Sequence, residues 1–187
     1  MDGFFPAFVA ALLAECGDKT QWLALALALH FRRVALVLAG IAVAAFANAA
    51  LAALGGTLLA PMLTPEAAKL MLALALCFAG VGALMRQTPS LPLRATRLSP
   101  FIVSFFSFFV LELGDKTQFL TFAISLRADA FWPTIAGATA GVVLTSAAVA
   151  LASKAFERLP LTTIRRCTGA LFLVSGLWTA ISALRLI

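Results

Sequence analysis

Apolar runs of about 20 residues, the length a helix needs to cross a bilayer, follow one another along this chain with only short connections between them. They fall at Phe4–Leu29, Val34–Ala60, Ala67–Met85, Phe101–Leu126, Phe131–Ser153 and Ile164–Leu184. A helix satisfies its backbone N–H and C=O groups internally, which is what a segment surrounded by lipid requires. Composition agrees, since 63% of the 187 residues are apolar and 12% charged, too little polar surface to cover a water-soluble globule of this size. The expected fold is an all-α integral membrane protein with six transmembrane helices. No stretch remains for a soluble catalytic or nucleotide-binding domain, and no Walker-type phosphate loop is present.

The chain divides almost in half. The stretch 86–100 holds Pro89, Pro92, Pro100 and three arginines, and reads as the one real linker between repeat 1 (1–85) and repeat 2 (101–187) of a single transport domain. A shift of 97 positions lays Glu15-Cys-Gly-Asp-Lys-Thr-Gln21 on Glu112-Leu-Gly-Asp-Lys-Thr-Gln118, Phe4 on Phe101 and Gly40 on Gly137. Three helices per repeat is an odd number, so the second repeat is expected to enter the membrane inverted. The first, third and fifth connections carry Arg32, Arg33, Arg86, Arg94, Arg97, Lys154, Arg158, Arg165 and Arg166, against Lys69, Arg127 and Arg185 on the other side. That excess predicts both termini outside the cytosol. Asp2 stands where a secretory signal would carry Lys or Arg, so the first helix is expected to be retained. The net charge of +6 is scattered over helix ends and forms no basic stripe, which argues against a nucleic-acid partner; membrane lipid is the expected surrounding.

Setting aside the residues counted above with the connections, six charged residues fall inside the predicted helices, and all belong to the repeated motif: Glu15, Asp18 and Lys19, then Glu112, Asp115 and Lys116. Each charge at membrane depth costs roughly 2.5–3.5 kcal/mol on insertion scales, so six of them need a structural or functional compensation. On a continuous helix Glu15 and Asp18 share a face, and Lys19 reaches Glu15 at i+4. Bringing the two faces together converges four carboxylates and two ammonium groups, a formal net −2 that suits one bare divalent cation. Thr20, Gln21, Thr117 and Gln118 could add neutral oxygen ligands, with main-chain carbonyls loosened where Gly17 and Gly114 are expected to break the helix. An all-oxygen set favours hard or borderline ions such as Mg²⁺, Ca²⁺ and Mn²⁺. The same carboxylates exchange protons, and Lys19 and Lys116 tune their charge, so cation arrival and proton departure are coupled at the same atoms.

Other polar residues read as structural. Cys16, Cys77 and Cys167 have no metal or disulfide spacing, and His30 sits near a helix end beside Arg32. Asn48, Ser104 and Ser107 are single polar residues of the kind that bond to backbone or a neighbouring helix. Trp132 reads as an interfacial anchor, and Trp22 and Trp178 receive no function. Two further readings of the motif stay open: an intramembrane aspartyl hydrolase using Asp18 and Asp115, and a passive cation channel.

The duplicated Glu-x-Gly-Asp-Lys-Thr signature on a six-helix chain resembles the cation/proton exchanger family that includes the Golgi calcium/manganese exchanger of eukaryotes and small bacterial manganese exporters. Both copies match over essentially the full length. The resemblance implies that the acidic residues bind Mn²⁺ or Ca²⁺ as transported substrate, with no cofactor, while protons move the other way. It further implies a bacterial inner membrane and manganese export from the cytosol, and leaves self-association into homo-oligomers open.

Overall fold

The computed structural model describes residues 3–85, 98–128, 130–152 and 160–184. The expectations placed on Asp2, Arg86, Arg94, Arg97, Ser153, Lys154, Arg158 and Arg185, and most of the 86–100 linker, lie outside these residues. Every regular element described is helical: α1 (Phe4–Glu15), α2 (Lys19–Phe31), α3 (Val34–Leu59), α4 (Pro65–Leu84), α5 (Pro100–Glu112), α6 (Lys116–Ala128), α7 (Phe131–Leu151) and α8 (Leu161–Ala183), with a 3₁₀ turn at Ala60–Met62 extending α3. Four of these are long and apolar enough to cross a membrane, namely α3 with its 3₁₀ extension, α4, α7 and α8; their mean hydropathies run from 2.3 down to 1.2. At 1.5 Å rise per residue, the 20 residues of α4 span about 30 Å, the thickness of the hydrocarbon core. The first and fourth runs are each divided into two shorter helices, α1 with α2 and α5 with α6, on either side of Gly17 and Gly114.

Local chemistry explains the ends. Thr64 caps α4 by accepting the Ala67 N–H at 3.2 Å, with Pro65 in the first turn where its missing N–H costs nothing. Arg32 takes the left-handed conformation, φ 53°, that closes α2 and turns the chain into α3. Arg32, Arg33, Arg127 and Arg166 are exposed at helix ends, and Trp132, at the start of α7, is 68% exposed. Trp178 also faces outward from α8, whereas Trp22 packs partly against Leu25 and Val149.

The halves interlock reciprocally. Helix α1 packs on α7 of the other half and α5 on α3, while α4 and α8 pack on each other. At the crossings the side chains are reduced to nothing, so backbones touch: a Cβ on Gly40 would lie 2.5 Å from the Phe101 carbonyl oxygen, and one on Gly137 would collide with the Phe4 carbonyl. The two positions that the sequence shift superposes, Phe4 with Phe101 and Gly40 with Gly137, thus meet crosswise in space. The buried core is correspondingly rich in alanine, including Ala7, Ala11, Ala44, Ala53 and Ala138, closed by Phe108, Ile41 and Ile135. Large apolar side chains such as Phe106, Val110, Leu151 and Val174 point outward, the arrangement expected when the solvent is lipid.

Gly40→Ala and Gly137→Ala are expected to lower stability by about 1–3 kcal/mol each through overpacking against backbone. Thermal unfolding of the detergent-purified variants checks this. A midpoint equal to wild type in both would show that the crossings can open without cost.

Candidate cation site at two helix breaks

Each copy of the motif folds as a tight turn between two half-helices. In the first, Cys16 has φ −62° and ψ 114°, Gly17 has φ 78°, and the Asp18 N–H returns to the Glu15 carbonyl at 3.1 Å. In the second, Leu113 has φ −62° and ψ 118°, Gly114 has φ 77°, and the Asp115 N–H reaches the Glu112 carbonyl at 3.0 Å. These are type II turns, whose third position takes a positive φ and so selects glycine. The residue preceding each glycine can be anything, which is why Cys16 and Leu113 alternate there. The break also leaves the last carbonyls of α1 and α5 without a full helical ladder, at the negative ends of both helices.

The freed glycine N–H groups are satisfied by the motif itself. Gln21 Oε1 accepts the Gly17 N–H at 2.8 Å, and Gln118 Oε1 accepts the Gly114 N–H at 2.6 Å. Both glutamines, expected as neutral cation ligands, therefore have their carbonyl oxygens engaged in holding the breaks open.

The charged side chains cross between the halves. On an unbroken helix Lys19 would meet Glu15; in the structure Lys19 Nζ donates to Asp115 at 3.3 Å, and Lys116 Nζ donates to Asp18 Oδ2 and lies 3.8 Å from Asp115 Oδ2. The turn explains the correction, because it takes Lys19 off the face that Glu15 occupies. Glu15 is held instead by hydroxyls from both halves: Thr20 donates to its Oε2 and Thr117 to its Oε1, the latter at 2.5 Å. Carboxylate oxygens of Glu15, Asp18 and Asp115 come within 4.8 Å of one another, close enough to share one metal ion. Glu112 is equally buried but stands outside this trio, and its Oε1 has no hydrogen-bond partner. Asp18 Oδ1 and Asp115 Oδ2 are likewise buried without one. Unpaired acceptors at membrane depth are costly, and those of Asp18 and Asp115 belong to the trio, where a cation would satisfy them.

The two breaks have unlike surroundings. Gly17 is buried, with a would-be Cβ 3.3 Å from the Leu161 carbonyl oxygen and 3.5 Å from Arg165 Cβ, whereas Gly114 is exposed with nothing within 4 Å. The Lys116–Asp18 pair is sealed, its side chains 4% and 2% exposed; the Lys19–Asp115 pair is more open, at 25% and 17%. A cavity of about 330 Å³ lies against the first break, lined by Cys16, Gly17 and Gln21 with Thr145, Ala148 and Val149 of α7. One of about 410 Å³ lies against the second, lined by Leu113, Gly114 and Gln118 with Leu51 and Ala52 of α3. Most of these lining positions are repeat equivalents.

Asn48, read from sequence as structural, fastens the second break to α3. Its Nδ2 donates to the Phe109 carbonyl at 3.2 Å and its main-chain carbonyl accepts from Gln118 Nε2 at 3.4 Å. Its repeat equivalent, Thr145, bonds only within its own helix, to Gly141 and Val142. A signal existed in the sequence, an amide in an otherwise apolar run opposite a threonine, but it did not name a partner. Ser104 packs where α5 crosses Gly40 and Ser107 lies on the outer face of α5, neither among the residues of the trio. His30 and Cys167 are exposed away from it.

A family profile described as divalent cation/proton antiporter GDT1 matches residues 3–90 and again residues 100–186. A protein of Vibrio cholerae serotype O1, provisionally named a manganese exporter, is 40% identical over 171 residues, covering 90% of this chain and 85% of that one. No solved structure matches.

Removing a cap strands a glycine N–H, and the penalty depends on whether water can replace it. Gln21→Ala, at the buried break, is expected to cost about 1–3 kcal/mol, and Gln118→Ala, at the exposed one, clearly less. Denaturant titration of both variants tests the difference, and equal losses would mean that the two breaks are equally wet.

Proposed function

The chain belongs to the divalent cation/proton antiporter family GDT1, and from that premise we propose that it exports Mn²⁺ from the cytosol in exchange for protons. It is a multi-pass membrane transporter and not an enzyme; metal ions and protons are its substrates. The observation that carries the reading is the trio of Glu15, Asp18 and Asp115, drawn from both halves to within 4.8 Å at two opposed helix breaks. In this reading those three carboxylates hold the ion, Thr20 and Thr117 lend hydroxyl oxygens, and Glu112 joins the set through its unpartnered oxygen when the ion or a proton arrives. Gly17, Gly114, Gln21 and Gln118 shape the breaks. Lys19 and Lys116 hold the empty carboxylates apart in charge, so that metal and proton compete for the same oxygens.

The proposal also takes the chain as one transport domain of two inverted three-helix repeats, 1–85 and 101–187 about the linker 86–100, with α1–α2 and α5–α6 each crossing as one broken span and both termini non-cytosolic. Reciprocal packing of α1 on α7 and α5 on α3, and the family profile matching each half in turn, support it. Broken spans meeting at mid-membrane are a recurrent plan in secondary transporters. The bacterial relative supports placement in an inner membrane. The hydrolase alternative required Asp18 and Asp115 to share a proton, yet each carboxylate has a lysine partner of its own.

The test is Mn²⁺ and Ca²⁺ uptake into liposomes holding the purified protein, with lumenal pH recorded. An imposed pH gradient is expected to drive cation accumulation with opposite proton flow. Glu15→Gln, Asp18→Asn, Glu112→Gln and Asp115→Asn are each expected to abolish it while leaving a folded protein. Normal transport in all four would remove the site, and cation flux without proton counter-flow would leave a channel.

A further inference from the structure

Lys116 stands apart from every other charged residue of the breaks. Its ammonium bonds Asp18 Oδ2 and lies 3.8 Å from Asp115 Oδ2, so it engages two members of the three-carboxylate cluster at once. Its side chain is 4% exposed, against 25% for Lys19, so it is the more enclosed of the two ammonium groups. An ammonium has three N–H bonds to give, while hard divalent ions take six or more oxygens. The mismatch is visible: Asp18 Oδ1, Asp115 Oδ2 and Glu112 Oε1 are left buried without a hydrogen-bond partner. A cage with this much unused acceptor capacity is only partly filled by the group that occupies it.

We propose that Lys116 is a tethered stand-in for the transported cation, seated on Asp18 and Asp115 when the site holds no metal and displaced from Asp18 when a divalent ion arrives. The inference rests on the antiporter reading above and deepens it. It divides the two lysines, which sequence symmetry makes equal. Lys116 offsets one of the buried carboxylate charges during the metal-free half of the cycle, and the protons taken in exchange share the rest. Glu112, with an oxygen unclaimed, is a carboxylate available to the displaced ammonium. Lys19, at the more open pair, is less needed for that passage.

Such a role separates two modes of transport. Exchange of Mn²⁺ for Mn²⁺ never requires the metal-free site to cross, whereas net exchange of Mn²⁺ for protons does. The experiment uses Mn²⁺ alone as probe on full-length wild type, Lys116→Gln, Lys116→Arg and Lys19→Gln. It measures equilibrium binding in detergent, isotope counterflow into Mn²⁺-loaded liposomes, and net accumulation under a pH gradient. Lys116→Gln is expected to bind Mn²⁺ about tenfold more tightly, having lost its internal competitor, to keep counterflow, and to lose net accumulation by about tenfold or more. Lys116→Arg keeps the charge and is expected to exceed Lys116→Gln in net accumulation, and Lys19→Gln to hold the ratio of the two modes within about twofold of wild type. Weaker binding in Lys116→Gln, or equal loss of both modes, overturns the proposal. Lys116→Met carries the same comparison if the glutamine variant does not reconstitute. Absence of binding and of both fluxes in wild type itself would instead overturn the antiporter reading.

Discussion

A charge inside a bilayer must find a partner, and at the two breaks each lysine finds its nearest carboxylate in the other half. Lys116 reaches Asp18, Lys19 reaches Asp115, and Thr117 reaches Glu15. The rest of the architecture serves that requirement. The breaks have to lie at one level and face each other, and the crosswise packing of α1 on α7 and α5 on α3 brings them there. Glycine at the crossings lets the backbones approach, and alanine through the core leaves no bulk to push them apart. The interior is thin in hydrophobic mass because the apolar side chains are spent on the lipid face, and what fixes the arrangement is close backbone contact around a polar centre.

Equal sequences sit in unequal places. Seven-residue segments that differ at one position fold into the same turn with the same glutamine cap, yet one break is buried under Leu161 and Arg165 and the other lies open. Glu15 accepts two hydroxyls while Glu112 has an oxygen to spare. Asn48 ties the second break to α3, and Thr145 offers no such tie to the first. In the inverted-repeat reading proposed above, exchanging the surroundings of the two halves about a pseudo-two-fold axis would give a second arrangement, the kind of bistability that moves a site from one side of a membrane to the other.

Much of this was legible in the sequence. Hydropathy located the helices because lipid imposes length and polarity directly, and the motif stood out because charge in such a run demands a reason. The helical face drawn through Glu15, Asp18 and Lys19 did not survive, since i, i+4 geometry presumes a continuous helix and Gly17 reverses the chain within the motif. For the same reason the capping role of the glutamines went unread, and the lysine partners fell in the wrong half. Glycine weakens a helix in any sequence; that it takes a type II turn here depends on Gln21 and Gln118 closing the loop from within, a contact between residues four apart that composition does not reveal. The exclusion of Glu112 from the trio depends on side-chain directions across two half-helices, which no linear pattern encodes.

The crosswise pairing also bears on how the chain comes to be made. Synthesis delivers the first half to the membrane before the second exists, so Glu15, Asp18 and Lys19 enter lipid ahead of Lys116, Asp115 and Thr117, the groups that will hold them. Until α5 and α6 emerge, α1 and α2 carry an unmatched polar turn and the glycine of α3 that awaits Phe101 has nothing against it. The early half therefore stays an unfinished surface until α5 and α6 arrive, and the ion site cannot close before they do.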